Sequence, residues 1–171
     1  RMVVLTDAGG PGVMAADALE ADGLTLAELN PGTLAALSAA LPPAAAVGNP
    51  VDMLASASPE NYASCLRLLL EDEGVDGALV ILPPPPMFSA ESVAHALIPV
   101  IRASSKPVLM ALMGSNLLQE ARSVFRAQGI PTYPFPERAS SALSALVRRA
   151  ETLTAWAASP AVSSEAPRND T

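Results

Sequence analysis

A glycine-rich loop is the most informative chemical feature of this sequence. Residues 7–12 read DAGGPG and separate an apolar run from a helical pattern that starts at Val13. Unpaired amides at a helix N-terminus, backed by the positive end of the helix dipole, attract anions such as phosphate. We therefore expect the free N–H groups of Gly12, Val13 and Met14 to face a phosphate. The alternative is a tight turn whose glycines only satisfy backbone angles.

Two further segments could line a ligand site. Asn49 and Asp52 flank a proline-stiffened NPVD segment, and their side chains could orient groups beside a bound phosphate. They could equally form only Asx turns with their own backbone. The four prolines at 83–86 cannot continue a central strand, so we expect them to shape a pocket wall or a partner surface.

The same glycines also fit a dinucleotide fingerprint. Gly10, Gly12 and Ala15 have the spacing GxGxxA, and Glu28 stands near the distance of a ribose-binding acid. Pro11, however, occupies a position where a dinucleotide loop usually offers an amide. A free-standing domain that binds NAD or FMN is therefore one alternative hypothesis.

The sequence offers no set of catalytic side chains. The sole histidine, His95, shares the polar face of a predicted helix with Glu91, and the sole cysteine, Cys65, shares an apolar face with Leu66. We interpret His95 as a solvated surface residue and Cys65 as a packed thiol. One cysteine and one histidine exclude a cysteine metal cluster or a multi-histidine metal site. No GxxxxGK[ST] loop is present, so we assign no catalytic residue and no metal ligand.

Alternating strand and helix patterns must position these loops. Strands are predicted over residues 2–6, 24–29, 77–82, 107–112 and 129–133, and helices over residues 13–22, 31–41, 59–71, 89–104, 116–128 and 136–156. This alternation predicts an α/β, three-layer, flavodoxin-like domain with about five parallel strands and helices on both faces. We assign residues 1–157 to the domain and residues 158–171, rich in Pro, Ser and charge, to a flexible linker or tail.

In such a sheet, ligands bind where the strands end and the chain enters the next helix. The glycine loop, the NPVD segment and the loops near residues 83–88, 113–116 and 135–137 therefore meet at one edge. The residues that could line a site there are Asp7, Asn49, Asp52, Met87, Gly114, Ser115 and Asn116.

Composition limits the classes of function. The 171 residues are 50% hydrophobic and carry a formal net charge of −7, which suits one domain and argues against nucleic acid as a partner. No apolar stretch of about 20 residues could span a membrane. A single cysteine fits a reducing compartment, so we expect the cytoplasm. The first residue is Arg1, without a signal pattern, and we interpret the chain as part of a longer protein.

Four segments carry a resemblance to a known family. Residues 4–17, 49–52, 75–83 and 129–139, in this order, resemble the NDP-forming acyl-CoA synthetases. These include ADP-forming acetyl-CoA synthetase and, more distantly, succinyl-CoA synthetase. The resemblance extends from about residue 2 to residue 151. It points to the flavodoxin-like ligase domain that lacks the family's phosphohistidine.

The resemblance implies an activity and a set of partners. Family members join an acid to coenzyme A while ATP becomes ADP and phosphate, through an acyl phosphate and a phosphohistidine. ATP, Mg and coenzyme A serve the full enzyme, and none is expected to bind this domain alone. The implied partners are the phosphohistidine-bearing ligase domain, the CoA-binding domain and the ATP-grasp domain, in the same chain or in another subunit. The isolated domain is expected to be inactive.

The resemblance also assigns residues. Gly9, Gly10, Gly12 and Val13 would form the helix start that faces the phosphohistidine. The family pattern has an amide where Asp7 stands. A carboxylate there would repel phosphate unless it is protonated, bridged by a metal or turned away.

Two further possibilities remain open at this point. The same array of domains also occurs fused to a protein-lysine acetyltransferase, where it senses a ligand without ligase activity. Apolar loops at the strand ends also suggest a buried partner surface, which a homodimer could use.

Overall fold

Strands and helices alternate along the chain as the sequence pattern predicts. The computed structural model describes residues 1–114 and 116–158. The elements, in chain order, are β1 Met2–Thr6, α1 Gly9–Ala21, α2 Pro31–Ala40, β2 Val51–Asp52, α3 Pro59–Glu71, β3 Gly77–Leu82, α4 Ala90–Ala103, β4 Val108–Leu112, α5 Gln119–Ala127, β5 Thr132–Tyr133 and α6 Pro136–Ala158.

The five strands form one parallel sheet in the order β2-β1-β3-β4-β5. This order confirms the flavodoxin-like prediction. Register pairs Val4 of β1 with Leu79 of β3, and Leu79 with Leu109 of β4. The chain order reverses between β1 and β3, so a ligand crevice is expected at the carboxyl ends of those two strands.

Alternate strand residues supply two separate cores, which makes the domain three layers thick. Val3 and Leu5 of β1 pack in the larger core with buried residues of α2, α3, α4 and α5. Met2 and Val4 face the opposite side and pack with residues of α1 and α6. Because successive side chains of a strand point to opposite faces, a strand covered on both sides is apolar throughout.

The second strand is not the predicted one. Residues 24–29 run beside β1 but form only an isolated bridge, between Met2 and Leu26. The side-chain oxygen of Asn49 accepts a hydrogen bond from the Val4 amide at 3.0 Å. A strand formed by residues 24–29 would have used this amide in its own pairing with β1. The second strand of the sheet is instead β2, within the NPVD segment that was predicted to be a loop.

The side chain of Asn49 links β1 to the segment that contains Ala27. Besides accepting from the Val4 amide, its Nδ2 donates to the carbonyl oxygens of Met2, at 2.8 Å, and Ala27, at 3.1 Å. These partners are 22 to 47 residues away in sequence. The Asx-turn interpretation is therefore wrong for Asn49, whose amide replaces ladder hydrogen bonds at the edge of β1.

The last helix reaches the predicted tail. Helix α6 ends at Ala158, the first residue of the segment assigned to a linker. The rest of that segment, residues 159–171, lies outside the described residues. Within the described part, no helix is both long enough and apolar enough to cross a bilayer.

Candidate functional site

The glycine loop enters α1 earlier than the sequence predicts. Helix α1 begins at Gly9, with Ala8 as its N-cap, and the Gly12 amide donates to the Ala8 carbonyl at 3.3 Å. The prediction that Gly12, Val13 and Met14 offer free amides is therefore wrong, because they lie beyond the orphan positions of the first turn. Since Pro11 has no N–H, the orphan donors of this turn belong to Gly9 and Gly10.

No side chain caps the start of α1. The hydroxyl of Thr6 satisfies Ala8 instead, accepting from its amide and donating to its carbonyl, both at 3.1 Å. The first turn of α1 contains no acidic residue. By contrast, α3 begins with a Ser58 cap and Glu60 in its first turn. The first turn of α1 therefore does not neutralise the positive end of the helix dipole, and the carboxyl group beside Gly9 is that of Asp52, from β2.

The three loop glycines have different reasons to be glycine. A Cβ on Gly9 would lie 3.0 Å from Asp52 Oδ2, and a Cβ on Gly12 would lie 3.2 Å from Thr6 Cγ2. A Cβ on Gly10 would meet nothing within 4 Å. None of the three has a positive φ, so the backbone-angle explanation is wrong. Packing explains Gly9 and Gly12, whereas Gly10 leaves open space at the start of the helix.

These contacts predict opposite effects for two alanine variants. Gly10→Ala is expected to raise the free energy of unfolding by up to about 1 kcal/mol, because alanine favours a helix and meets no neighbour. Gly9→Ala is expected to lower it, since the new methyl group would lie 3.0 Å from Oδ2 of Asp52, whose other carboxyl oxygen is held by the Leu54 amide. Urea unfolding of both variants measures the difference, and equal effects would contradict the assigned contacts.

Asp7 is a buried carboxyl group at the end of β1. The residue is 4% exposed, and its Oδ1 has no hydrogen-bond partner. Burial, with a smaller effect of the nearby Asp52 charge, raises the pKa of Asp7 from 3.8 to about 6, although hydrogen bonds from Tyr62 and the backbone oppose the shift. The Tyr62 hydroxyl also donates to the Ile81 carbonyl at 3.3 Å. Its single proton therefore cannot fully serve both the Ile81 carbonyl and the Asp7 carboxyl group.

The raised pKa of Asp7 predicts a pH-dependent stability. The folded chain binds this proton more tightly than the unfolded chain, so the stabilisation is complete below about pH 4 and is lost as pH rises through about 6. In Asp7→Asn this loss is absent. The difference in unfolding free energy, variant minus wild type, should grow by about 2 kcal/mol between pH 4 and pH 8. Urea titrations at the two pH values measure it, and a constant difference would contradict the assignment.

Asp52 lies beside the helix start. Its Oδ1 accepts from the amide of Leu54 at 3.0 Å, which confirms the Asx turn for this residue. Its Oδ2 points toward Gly9, and its charge acts on Asp7. The structure thus brings Asp7, Gly9 and Asp52 together, while the Asn49 side chain is occupied by backbone groups.

The other predicted lining residues follow β3 and β4. Gly114 has φ of +130°, and a Cβ there would lie 2.9 Å from Pro84 Cγ, so both backbone conformation and packing require glycine. Met87 is 71% exposed, and Asn116 is also exposed. Ser115 lies outside the described residues.

The two lone reactive side chains occupy the predicted environments. His95 is 64% exposed and lies 3.7 Å from Glu91, which confirms its place on the polar face of α4. Cys65 is fully buried, and burial raises the pKa of its thiol to about 11, so it stays a neutral packed group. In residues 1–114 and 116–158, no cluster of three or more His, Cys, Asp or Glu side chains could hold a metal ion.

Sequence reasoning missed Tyr62 as a neighbour of the site. The sequence placed it only within the helix predicted over residues 59–71, and the structure buries it fully there. The available signal was its hydroxyl, because a buried tyrosine needs a polar partner.

The dinucleotide fingerprint does not have the required geometry. Gly10, Gly12 and Ala15 all lie inside α1, whereas the first glycine of that fingerprint forms a turn before the helix. The NAD or FMN hypothesis therefore loses the motif on which it depended.

The parallel sheet and the uncapped helix start at its switch point define a flavodoxin-like α/β domain. The model of the Ligase-CoA domain family matches residues 2–156. The chain belongs to this family.

Two relatives of this chain are named as ADP-forming acetate–CoA ligases. The chain is 41% identical to the alpha subunit of acetate–CoA ligase [ADP-forming] II of Pyrococcus furiosus, covering 88% of this chain and 34% of that subunit. It is 37% identical to acetate–CoA ligase [ADP-forming] I of Archaeoglobus fulgidus, covering 86% of this chain and 21% of that protein. The chain thus spans about a third or less of the length of these relatives.

A solved structure agrees with the fold. The dinucleotide forming acetyl-coenzyme A synthetase 1 of Ca. Korarchaeum cryptofilum superposes with a TM-score of 0.83 at 30% identity, over 94% of this chain and 36% of that one. The regulatory alternative, in which the domain serves an acetyltransferase, gains no support from these comparisons.

Proposed function

We propose that this chain acts as the ligase-type domain of an ADP-forming acyl-CoA synthetase. The complete enzyme joins an acid to coenzyme A and converts ATP to ADP and phosphate, through an acyl phosphate and a phosphohistidine. The domain contributes the start of α1, which stabilises the phosphoryl group on a histidine supplied by another domain. It supplies no catalytic side chain and is inactive alone.

The uncapped start of α1 is the observation that carries this proposal. Gly9 and Gly10 hold orphan amides at the N-terminus of a 13-residue helix, at the carboxyl edge of the sheet. Oriented amides stabilise developing negative charge in a water-excluded site without reorganising. Gly12 contributes by letting the helix approach Thr6, and Val13 contributes an exposed side chain rather than an amide. The related Korarchaeum synthetase was solved in complex with phosphate and ADP.

Apolar side chains around this edge support a partner domain. The exposed large hydrophobic residues that follow β1, β3, β4 and β5 are Val13, Met14, Met87, Phe88, Leu117 and Phe135. Exposed apolar groups at the same edge of the sheet as an anion site suit a protein surface that delivers the phosphoryl group. We assign this surface to the phosphohistidine-bearing ligase domain, and Asp52, Gly114 and Asn116 to its border.

A homodimer is the competing use of this surface. Light scattering of the chain at high concentration separates the two. A chain that stays monomeric at high concentration fits a surface that binds another domain. A stable dimer that Met87→Glu disrupts would contradict that assignment.

The remaining cofactors belong to other domains in this proposal. Because the described residues hold no metal-binding cluster, Mg and ATP are assigned to the ATP-grasp domain and coenzyme A to the CoA-binding domain. These domains lie in the same chain or in a partner subunit. The buried, unreactive Cys65 and the use of ATP lead us to place the reaction in the cytoplasm.

Steady-state turnover tests the proposed activity. The full-length protein that contains this chain, with any partner subunit, is incubated with ATP, Mg, coenzyme A and a panel of short-chain acids. Formation of an acyl-CoA with equimolar ADP is expected for at least one acid. Release of AMP, or ADP release that does not depend on coenzyme A, would contradict an ADP-forming ligase.

A further inference from the structure

Asp7 carries a hydrogen-bonding group that the fold leaves unused. Its Oδ1 is the buried side-chain atom without a partner in the described part of the chain. A buried atom of this kind destabilises the folded chain when it stays unsatisfied. An orphaned group of this kind calls for a specific explanation, and a ligand that completes it is one.

The position of Asp7 places this group at the start of α1. Asp7 directly precedes Ala8, the N-cap residue. The Asp52 carboxylate acts on the charge of Asp7 and also lies against Gly9, the first residue of the helix. The orphaned carboxyl oxygen therefore belongs to the same small region as the orphan amides.

Of the groups that face Asp7, Asp52 favours its neutral form, whereas the Tyr62 hydroxyl favours its ionised form. Tyr62 faces it from α3 and Asp52 from the end of β2, while the first turn of α1 has no acidic residue. The segment after β3, residues 83–86, consists of prolines. None of these groups is a cation, so an ionised Asp7 would stand beside a second carboxylate and would repel a phosphoryl group. A protonated carboxyl group instead has one O–H to donate.

We propose that Asp7 is a neutral hydrogen-bond donor to the phosphoryl group at the start of α1, and that the site takes up one proton from solvent when this group binds. The inference rests on the proposed function, which supplies the phosphoryl group. The O–H bond of Asp7 forms as an O–H bond of a solvent hydronium ion breaks, and no other bond changes in this step. Burial already raises the pKa of Asp7 to about 6, and a bound phosphoryl dianion raises it further.

The pH dependence of phosphoenzyme formation tests the proposal. The full-length protein is compared with Asp7→Asn, whose amide donates at every pH, and with Asp17→Asn, which removes one exposed charge from the same helix. The ratio of phosphoenzyme in Asp7→Asn to that in wild type should be about tenfold higher at pH 8 than at pH 5.5. The Asp17→Asn ratio should not change. A pH-independent Asp7→Asn ratio, or loss of phosphoenzyme in this variant at both pH values, would overturn the proposal.

A second measurement separates this proposal from the proposed function. The carboxyl ¹³C resonance of Asp7, assigned by its absence from Asp7→Asn, is titrated in the 171-residue chain with and without inorganic phosphate. A midpoint that phosphate moves upward supports the proton uptake, even if the full-length protein forms no phosphoenzyme and the proposed function fails. An unchanged midpoint overturns the role of Asp7 and leaves the proposed function standing.

Discussion

Replacing Gly10 with glutamate is expected to lower the rate of phosphoenzyme formation in the full-length protein by about 100-fold or more. The new side chain enters the open space at the start of α1, where a Cβ meets no neighbour. Its carboxylate occupies the position that the phosphoryl group needs and repels it at short range. Folding should not suffer, because an acidic residue in the first turn is favourable for a helix. Rapid quenching after mixing with labelled ATP measures the rate.

Gly32→Glu is the matched control. Gly32 is the second residue of α2, as Gly10 is of α1, and it also has open space around its Cα. The control adds the same charge at the same helix position and should leave phosphoenzyme formation within about twofold of wild type, since α2 does not form the site. Equal losses in both variants, or a fully active Gly10→Glu, would contradict the role of the α1 start.

Replacing Asn49 with alanine is expected to lower the free energy of unfolding by about 3 kcal/mol or more. The substitution removes three hydrogen bonds. It leaves the Val4 amide and the Ala27 carbonyl without this partner, while the Met2 carbonyl keeps the amide of Ala27 at 2.8 Å. Each unsatisfied buried backbone group costs about 1–3 kcal/mol. Denaturant unfolding of the chain, followed by far-UV circular dichroism, measures the change.

Asn61→Ala is the control for this prediction. Asn61 is also half-buried, but its side-chain oxygen accepts one hydrogen bond, from the Ser58 amide in the capping box of α3. Its loss should cost about 1 kcal/mol. If the Asn49 variant were no less stable than the Asn61 variant, the hydrogen bonds by which Asn49 links β1 to Ala27 would not contribute the proposed stability.

The order of the sheet could be predicted from the sequence because its signals are local. Residues 2–6, 77–82 and 107–112 are short apolar runs separated by helical patterns, and such runs alternate in this way only in parallel α/β domains. The absence of a strand at residues 24–29 could not be predicted, because it depends on the side chain of Asn49, which lies 45 residues from its partner Val4 in sequence. Asn49 takes the Val4 amide, and no periodicity within residues 24–29 reports that long-range contact.

The location of the site could be predicted from the sequence, but its contacts could not. The glycine loop indicated the correct edge of the sheet, since glycines between a strand and a helix are a local signal. The first turn of the helix was misplaced by four residues, because Gly and Pro are poor helix formers and the pattern becomes apolar only at Val13. The burial of Asp7 against Tyr62 is a tertiary contact between α3 and the end of β1, and the sequence pattern does not contain it.

The most direct test of the central claim is phosphate transfer through the enzyme itself. The full-length protein is mixed with labelled ATP and Mg, and the labelled protein is isolated before a short-chain acid and coenzyme A are added. The proposed function predicts an acid-labile, base-stable phosphoenzyme that the acid and coenzyme A discharge together. A folded protein that binds acyl-CoA but never becomes labelled would contradict it.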